Sequence, residues 1–198
     1  MYNYPMYTIV GLGNPGQKYQ NNRHNVGQIF IDYVIKKLRI TNYELKVVKT
    51  DVFMNQSGVF VKKLIRNPQF VINNLIIAHD DLDIPLGKFK IQKGQGPRLH
   101  NGIISIENVL STNDFWRIRI GVDNRPARRP DRQNSDEVQS LNEDRQTNRW
   151  IDGETYVLSD FTPEEKIVLN ATFPKIYQQL FNQILNRNQF DHDRDQIG

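Results

Sequence analysis

The segment Leu75-Ile76-Ile77-Ala78-His79-Asp80-Asp81-Leu82-Asp83 carries the strongest information about the fold. Its first four residues form an unbroken apolar run, which is typical of a strand buried on both faces in a parallel sheet covered by helices. The residues that follow are polar and precede Pro85, so the run predicts a strand that ends in an acidic turn. Ligands gather at the carboxyl ends of such strands, and we therefore expect a functional site near residues 79–83.

Short runs of β-branched and aromatic residues alternate with stretches of helical spacing on both sides of this segment. The alternation predicts an α/β fold, a single domain whose mixed, mostly parallel sheet is flanked by helices. A mixed sheet is expected because Ile118 and Ile120 alternate with Arg117 and Arg119, as in a half-exposed strand. The predicted strands lie at 7–10, 45–47, 75–78, 88–93, 115–122 and 156–158, and the predicted helices at 26–38, 59–65, 103–110 and from 163 onward.

Local signals mark several helix ends. The run Thr162-Pro163-Glu164-Glu165 predicts a capping box with proline at the first helical position. Pro174 lies further along the same stretch and predicts a kink or a restart of that helix. Asn25 and Ser57 precede apolar-periodic stretches, which makes them candidate N-caps of the first two helices.

Length and composition exclude several classes of protein. The chain has 198 residues, 26 Lys and Arg against 22 Asp and Glu, and no cysteine. This length suits one domain, which we place at residues 1–188, with a polar Arg-rich insertion at about 124–149 and a frayed tail at 189–198. The lack of cysteine excludes disulfides and thiolate sites and suits the reducing cytoplasm. No apolar run could span a bilayer, so we expect no membrane partner, whereas the net charge of +4 permits nucleic acid.

The segment Gly11-Leu12-Gly13-Asn14-Pro15-Gly16 follows a predicted strand and matches the nominal dinucleotide-binding pattern. A dinucleotide site needs a helix that starts at the last glycine, so that its amides meet the pyrophosphate. Residues 17–25 are polar and loop-like instead. We therefore interpret the segment as a tight turn that holds Asn14, and we expect no cofactor; a nucleotide-cofactor enzyme remains the most remote hypothesis.

Amide and imidazole side chains recur on the loops of the predicted sheet, at Asn14, His24-Asn25, Asn55 and His100-Asn101. Each loop alone is explained by a helix cap or a turn, but together such loops cluster at one edge of a sheet. A pocket lined by amides can bind ester and peptide carbonyls without desolvating a charge. No nucleophile and no metal-ligand spacing is evident, which leaves activation of water by a histidine that an aspartate orients.

Together, these motifs resemble the bacterial peptidyl-tRNA hydrolase family. The likeness extends from about Tyr7 to Glu165, and the motifs occur in the family's order. They are Gly11-Leu12-Gly13-Asn14-Pro15-Gly16, Tyr19, Arg23-His24-Asn25-x-Gly27, Phe53-Met54-Asn55-x-Ser57-Gly58, His79-Asp80-Asp81-Leu82-Asp83-x-Pro85-x-Gly87, His100-Asn101-Gly102, Arg117-Ile118-Arg119-Ile120-Gly121 and Tyr156-Val157-Leu158.

The resemblance implies a monomeric α/β enzyme that hydrolyses the ester between a peptide and the 3′ end of tRNA, with peptidyl-tRNA as its partner and no metal. It implies that His24 activates water and that Asp80 holds the tautomer of His24 and stabilises the imidazolium. Asn14 and Asn55 would bind the peptide side, and Asn14 would help to distinguish acylated from free amino groups. The resemblance also implies that the tRNA end or the substrate backbone contacts Tyr19, Phe53 and Asn101. It implies phosphate contacts for Lys90 and Arg119. Supporting roles are implied for Met54 and His100.

Three stretches depart from the family's pattern. The chain between the first predicted helix and Phe53 is shorter than usual, Arg98-Leu99 stands where the family has Gly-Gly, and the Arg-rich insertion follows soon after Gly121. The acidic residues of the insertion nearly cancel its arginines, which favours a solvated loop over a phosphate-binding surface. The departures motivate an alternative function, a catalytically weak or inactive RNA-binding homologue of the same fold. Turnover of N-acetyl-aminoacyl-tRNA separates the two functions.

Overall fold

The computed structural model describes residues 7–38, 45–66, 70–125 and 151–185. Within these ranges one sheet is built from β1 (Tyr7–Gly11), β2 (Leu45–Lys49), β3 (Leu75–Pro85), β4 (Phe89–Lys93) and β5 (Trp116–Asp123). The α-helices are α1 (Val26–Leu38), α2 (Ser57–Ile65), α3 (Asn101–Leu110), α4 (Gly153–Val157) and α5 (Pro163–Leu180). The strand order is β2-β1-β3-β5-β4, and only the β4–β5 pair of this sheet is antiparallel. The predicted single α/β domain with a mixed, mostly parallel sheet is confirmed.

Strand β3 lies in the middle of the sheet and contributes to an apolar core on each face. Ile76 and Ala78 pack with α1 and α5, whereas Leu75 and Ile77 pack with α2 and α3. All four side chains are fully buried, and burial of each large aliphatic side chain contributes about 1.5–3 kcal/mol. Helices on both faces are therefore the reason why this strand reads as a continuous apolar run.

Close backbone contact brings the start of α1 against the middle of the sheet. A Cβ atom on Gly27 would lie 2.2 Å from the Ala78 carbonyl oxygen, and one on Gly11 would lie 2.5 Å from the Gly27 carbonyl oxygen. Only glycine permits this approach. The loop that enters α1 consequently lies at the carboxyl end of the apolar part of β3.

The helix signals were confirmed in part. Thr162 Oγ1 accepts a hydrogen bond from the Glu165 N–H at 3.2 Å, and Glu165 Oε2 accepts from the Thr162 N–H at 2.9 Å, so the capping box is present. The predicted restart at Pro174 was wrong, since α5 continues to Leu180. Its neighbour Phe173 is buried in the core, which holds the helix against the sheet across the proline.

The predicted strand at residues 156–158 was also wrong. Tyr156 and Val157 belong to α4, and Leu158 is its C-cap. The first turn of α4 is capped by Asp152, with Oδ1 accepting from the Thr155 N–H at 3.0 Å. Tyr156 and Val157 are buried, as they would be in a strand, because a short apolar run has no distinguishing period.

Neither candidate cap, Asn25 nor Ser57, caps a helix. A 3₁₀ turn precedes each helix, so that Asn25 lies in the turn Arg23–Asn25 and Ser57 is already the first residue of α2. The Ser57 hydroxyl donates back to the Met54 carbonyl at 2.7 Å. The side chain of Asn25 is used elsewhere, in the site described below.

Strand β5 is buried on both faces and is not half-exposed as predicted. Arg117 is completely buried, with one nitrogen 2.5 Å from Glu107 Oε1, and Arg119 is buried against Asp81. Ion pairs with acidic partners allow both guanidinium groups to leave solvent, and the arginine stems cover apolar surface.

Most of the predicted insertion at 124–149, and the tail at 189–198, lie outside the described residues. No helix in the described part of the chain combines the length and the apolar character needed to cross a bilayer.

Candidate active site

A cavity of about 850 Å³ opens where β1 and the apolar part of β3 end. Its lining comes from the loop after β1, the turn before α1, the turn before α2, the start of α3, and α4. The lining residues are Asn14, His24, Phe53, Met54, Asn55, Gln56, Asp80, Leu82, Leu99, His100, Asn101, Gly153, Glu154, Val157 and Leu158. The fold thus brings together the amide and imidazole loops that the sequence analysis grouped.

His24 and Asp80 form a hydrogen-bonded pair at the base of this cavity. His24 Nδ1 lies 2.8 Å from Asp80 Oδ1, and their side chains are 12% and 3% exposed. A carboxylate can only accept, so Nδ1 carries the proton and Nε2 is the nitrogen left with a free electron pair. His24 can therefore act as a base toward a molecule in the cavity.

The carboxylate sets the basicity of His24. Burial would lower the pKa of His24, but the charge of Asp80 and its hydrogen bond outweigh burial and raise the pKa above its ordinary value of 6.5. For Asp80, burial would raise the pKa, whereas the charges of His24 and His100 and their hydrogen bonds hold the pKa far below its usual range. Asp80 is thus ionised whenever His24 titrates.

His100 holds the same carboxylate oxygen from the other side. Its Nε2 lies 2.9 Å from Asp80 Oδ1, and its Nδ1 accepts from the N–H groups of Gly102 and Ile103 at 3.1 and 3.3 Å. Because Nδ1 accepts, Nε2 carries the proton that His100 donates to Asp80. Both nitrogens are occupied, so His100 serves as the cap of α3 and as a support for Asp80.

His79 is a third imidazole beside this pair, and sequence reasoning gave it no role. It is completely buried, its Nδ1 lies 2.7 Å from the Asp80 carbonyl oxygen, and its ring centroid lies 4.9 Å from that of His100. Burial, followed by repulsion from His100, places its pKa well below 6.5. His79 is therefore a neutral packing partner of the site.

The ligand atoms of His24, Asp80 and His100 lie within 4.8 Å of one another, close enough to hold a metal ion. Sequence spacing did not show this cluster, because the three residues come from separate loops. Metal ligands at about 2.0 Å in tetrahedral geometry would be separated by about 3.3 Å. Here His24 Nδ1 and His100 Nε2 lie 2.8 and 2.9 Å from the same oxygen, Asp80 Oδ1. We interpret the cluster as two N–H groups donating to a shared carboxylate.

Hydrogen bonds fix the backbone and the Oδ1 atom of Asn14 and leave its Nδ2 amide available. Its N–H donates to Asn25 Oδ1 and its carbonyl accepts from Asn25 Nδ2, both at 2.9 Å, while its Oδ1 accepts from the Met54 N–H at 2.9 Å. These bonds leave the Nδ2 amide hydrogens for the cavity. Asn14 can therefore donate to a carbonyl oxygen but has little capacity left to accept.

The other predicted contact residues surround the cavity mouth. Asn55 and Asn101 are exposed lining residues, and Phe53 is 52% exposed. Tyr19 does not line the cavity, but its ring packs edge-to-face on Phe53 with centroids 6.4 Å apart. Met54 is buried and links Asn14 to the turn before α2.

The two predicted phosphate ligands do not line the cavity. The Nε of Arg119 donates to Asp81 Oδ2 at 2.6 Å, and a Cβ atom on Gly96 would lie 2.4 Å from Arg119 Cζ. This guanidinium is covered in the structure, so the phosphate contact expected for Arg119 stays a prediction that would require the group to be uncovered. Lys90 is exposed on β4, paired in register with Arg119.

Arg23 is a structural residue of the site that sequence reasoning missed. It is 5% exposed, its Nη2 lies 2.5 Å from Glu165 Oε2, and its guanidinium carbon lies 4.1 Å over the ring of Tyr156. Its Nη1 donates to Ser159 Oγ at 2.6 Å and to the Asp160 carbonyl at 2.8 Å. Arg23 therefore ties the turn that carries His24 to α4 and α5. In the sequence, the one feature that points to this role is that Arg23 directly precedes His24 in the motif Arg23-His24-Asn25.

Comparisons with known proteins point to one family. A family model described as peptidyl-tRNA hydrolase matches residues 8–196. The peptidyl-tRNA hydrolase of Thermodesulfovibrio yellowstonii is 36% identical in an alignment 179 residues long, which covers 81% of this chain and 83% of that protein. The peptidyl-tRNA hydrolase of Mycoplasma capricolum is 33% identical in a gapped alignment 205 positions long, which covers 94% of this chain and 97% of that protein. The Acinetobacter baumannii peptidyl-tRNA hydrolase structure shares the fold, with a TM-score of 0.68, 23% identity and 94% coverage of each chain.

Proposed function

The chain belongs to the peptidyl-tRNA hydrolase family, and from this premise we propose that it hydrolyses the ester joining a peptide, or another N-blocked aminoacyl group, to the 3′ end of tRNA. The reaction would recycle tRNA from peptidyl-tRNA that ribosomes release. The observation that supports this proposal most directly is the His24–Asp80 pair, at 2.8 Å, at the base of an amide-lined cavity. We further propose that the protein acts as a monomer in the cytoplasm.

In the proposed reaction, His24 Nε2 removes a proton from a water molecule as the water oxygen attacks the ester carbonyl carbon. Asp80 stabilises the imidazolium that forms, through the hydrogen bond at Nδ1. The Nδ2 amide of Asn14 donates to the carbonyl oxygen as it gains negative charge. The bond from the acyl carbon to the 3′ oxygen then breaks, and the His24 proton passes to that oxygen, so that water supplies both the new carboxyl oxygen and the proton.

The cavity mouth supports assignments for the rest of the substrate. Asn55 and Asn101 are exposed amides that can bind the peptide backbone. The half-exposed ring of Phe53, braced by Tyr19, offers a face on which a base of the tRNA end can stack.

Turnover tests the proposed function against the alternative of an inactive RNA-binding homologue. Purified protein should release free tRNA from N-acetyl-aminoacyl-tRNA over many cycles and should leave aminoacyl-tRNA with a free amino group largely intact. Binding of the N-blocked substrate without release of tRNA would favour the alternative.

Asp80→Asn should lower the plateau of kcat and shift the acid limb of the pH–rate profile to lower pH. Activity requires neutral His24, so the rate rises as the pH passes through the His24 pKa, which Asp80 raises. Without the carboxylate charge, burial lowers this pKa instead. Measurement of kcat from pH 5 to 9 checks the shift. Asp51→Asn removes an exposed carboxylate and should leave the profile unchanged.

Asn14→Asp should erode the preference for N-blocked substrate. The carboxylate can still accept from the Met54 N–H, but an acceptor oxygen replaces the Nδ2 donor. Both substrates lose the donor to the ester carbonyl oxygen and slow down, and the new acceptor favours a free ammonium group over an amide. Loss of a buried hydrogen-bond partner costs about 1–3 kcal/mol, so the ratio of kcat/KM for blocked and free substrates should fall by about 5-fold or more. Asn108→Asp, on the exposed side of α3, is the matched control. An unchanged ratio would remove Asn14 from this role.

Hydrolysis should survive chelation. We expect EDTA to leave kcat unchanged because water is activated by His24, and the cluster of His24, Asp80 and His100 is occupied by its own N–H donors. A short acylated RNA fragment should be the substrate, so that loss of magnesium from folded tRNA does not affect the result. Activity lost in EDTA and restored by a divalent ion would contradict the mechanism.

A further inference from the structure

The cavity has two chemically different walls. Asn14, Asn55 and Asn101 present amides, whereas a second group of lining residues is aliphatic. The aliphatic wall consists of Leu82, Leu99, Val157 and Leu158. The mechanism proposed above uses the amide wall and gives the aliphatic wall no role.

Two contacts connect the segments that carry the aliphatic wall. A Cβ atom on Gly153 would lie 3.0 Å from Leu82 Cδ1, so Leu82 packs against the first residue of α4, the helix that leads to Val157 and Leu158. On the other side, the Arg98 N–H donates to Asp83 Oδ2 at 3.2 Å. Leu99 follows Arg98 directly, so this bond ties the segment that carries Leu99 to the strand that carries Leu82.

The aliphatic wall is uncovered at its outer end. Leu99 is 87% exposed and Leu158 is 42% exposed, although each lines the cavity. Apolar surface at the mouth of a binding cavity is typical of a site that a ligand covers.

The chemistry of the lining selects the part of the substrate that this wall fits. No lysine or arginine is among the lining residues, and Glu154 lies in α4 beside the wall. Arg125 Nη1 would lie 3.7 Å from a Cβ atom on Gly153, but this guanidinium is hydrogen-bonded to Asp123 and to the Ile151 carbonyl, so the wall offers a phosphate no cation of its own. A base stacks on planar rings, which the cavity offers at Phe53 and not at these leucines. An aliphatic side chain is the group that the wall can cover without an unpaired polar atom.

We infer that the aliphatic wall, with Leu99 as its specificity-determining outer residue, receives the side chain of the amino acid esterified to tRNA. The inference rests on the proposed function and adds a substrate preference to it. Substrates that end in leucine should be favoured over those that end in glycine, and aspartate should be disfavoured because Glu154 repels it.

The test compares kcat/KM for N-acetyl-leucyl-tRNA and N-acetyl-glycyl-tRNA. Each buried methylene contributes about 0.8 kcal/mol, roughly 4-fold, so a partly covered leucine should favour the first substrate by about 10-fold or more. Leu99→Ala should reduce this ratio by about 3- to 10-fold through the leucyl substrate alone, and Leu99→Met should restore it. Ile104→Ala removes a comparably apolar residue, 41% exposed on α3 and outside the cavity lining, and should leave the ratio unchanged.

Glu154→Gln gives an independent measurement. It should raise kcat/KM for N-acetyl-aspartyl-tRNA several-fold and leave the leucyl substrate unchanged, because only the charge is removed. Equal leucyl and glycyl turnover by the unaltered enzyme would overturn the inference. So would an equal loss on both substrates in Leu99→Ala, since the leucine would then contact the shared tRNA end. Failure of the proposed function is a different result, namely no hydrolysis of any N-acetyl-aminoacyl-tRNA.

Discussion

His24→Ala should lower kcat by ~10²–10⁴-fold, the range in which a general base contributes to catalysis. His24 is the histidine of the cluster whose second nitrogen is left for a water molecule, because both nitrogens of His100 are already hydrogen-bonded. The change should act on kcat more than on KM, since the amide wall still binds the substrate. Steady-state hydrolysis of N-acetyl-aminoacyl-tRNA measures both parameters.

The fold should survive this substitution, because His24 lies in the turn before α1 and contributes no side chain to either apolar core. Circular dichroism and thermal unfolding provide the check. His24→Asn is the conservative partner variant, which can still donate to Asp80 but cannot take up a proton at neutral pH, and it should be equally slow. Near-normal turnover by either variant would show that His24 is not the base.

Arg23→Met should destabilise the protein by about 3–5 kcal/mol, because it leaves the buried carboxylate of Glu165 without its cation. Arg23 and Glu165 are 5% and 4% exposed, and their ion pair is 2.5 Å long. Chemical denaturation measures the free energy of unfolding. Since Arg23 also anchors the turn that carries His24, kcat should fall even at temperatures where the variant is fully folded.

The chain offers a matched control for this prediction. The ion pair of Lys49 with Asp32 is also 2.5 Å long, but its side chains are 38% and 52% exposed. Exposed pairs contribute about 0–1 kcal/mol, so Lys49→Met should change the unfolding free energy little and kcat not at all. Equal losses in the two variants would mean that burial of the Arg23 pair has no special effect. Partial recovery in the double variant Arg23→Met/Glu165→Gln would identify the stranded charge as the cause.

Features with a local cause were predictable from the sequence. The apolar run at 75–78 and the capping box at 162–165 each depend on neighbouring residues alone, and both were confirmed. The acidic turn predicted after the run was wrong, because β3 continues through these residues to Pro85. The resemblance to the hydrolase family was likewise carried by short motifs and is confirmed over residues 8–196.

Features that depend on distant partners were not predictable. Alternating Arg and Ile in β5 has the same period whether the arginines face solvent or are buried. The arginines are buried because they form ion pairs with Glu107 and Asp81, which lie in other elements. The segment 156–158 gave no period to separate helix from strand, so the α4 part of the cavity wall was missed. The bonds of His100 to its own helix are local, but its bond to Asp80, 20 residues away, is not encoded by any local pattern.

The two hydrogen bonds between Asn14 and Asn25 have a further consequence. Asn25 is the covalent neighbour of His24, so the group that would receive the carbonyl oxygen and the group that would activate water are parts of one rigid body. Their separation does not depend on how the surrounding loops move as the substrate enters. Asn25 therefore couples the position of Asn14 to that of His24, although Asn25 itself does not line the cavity.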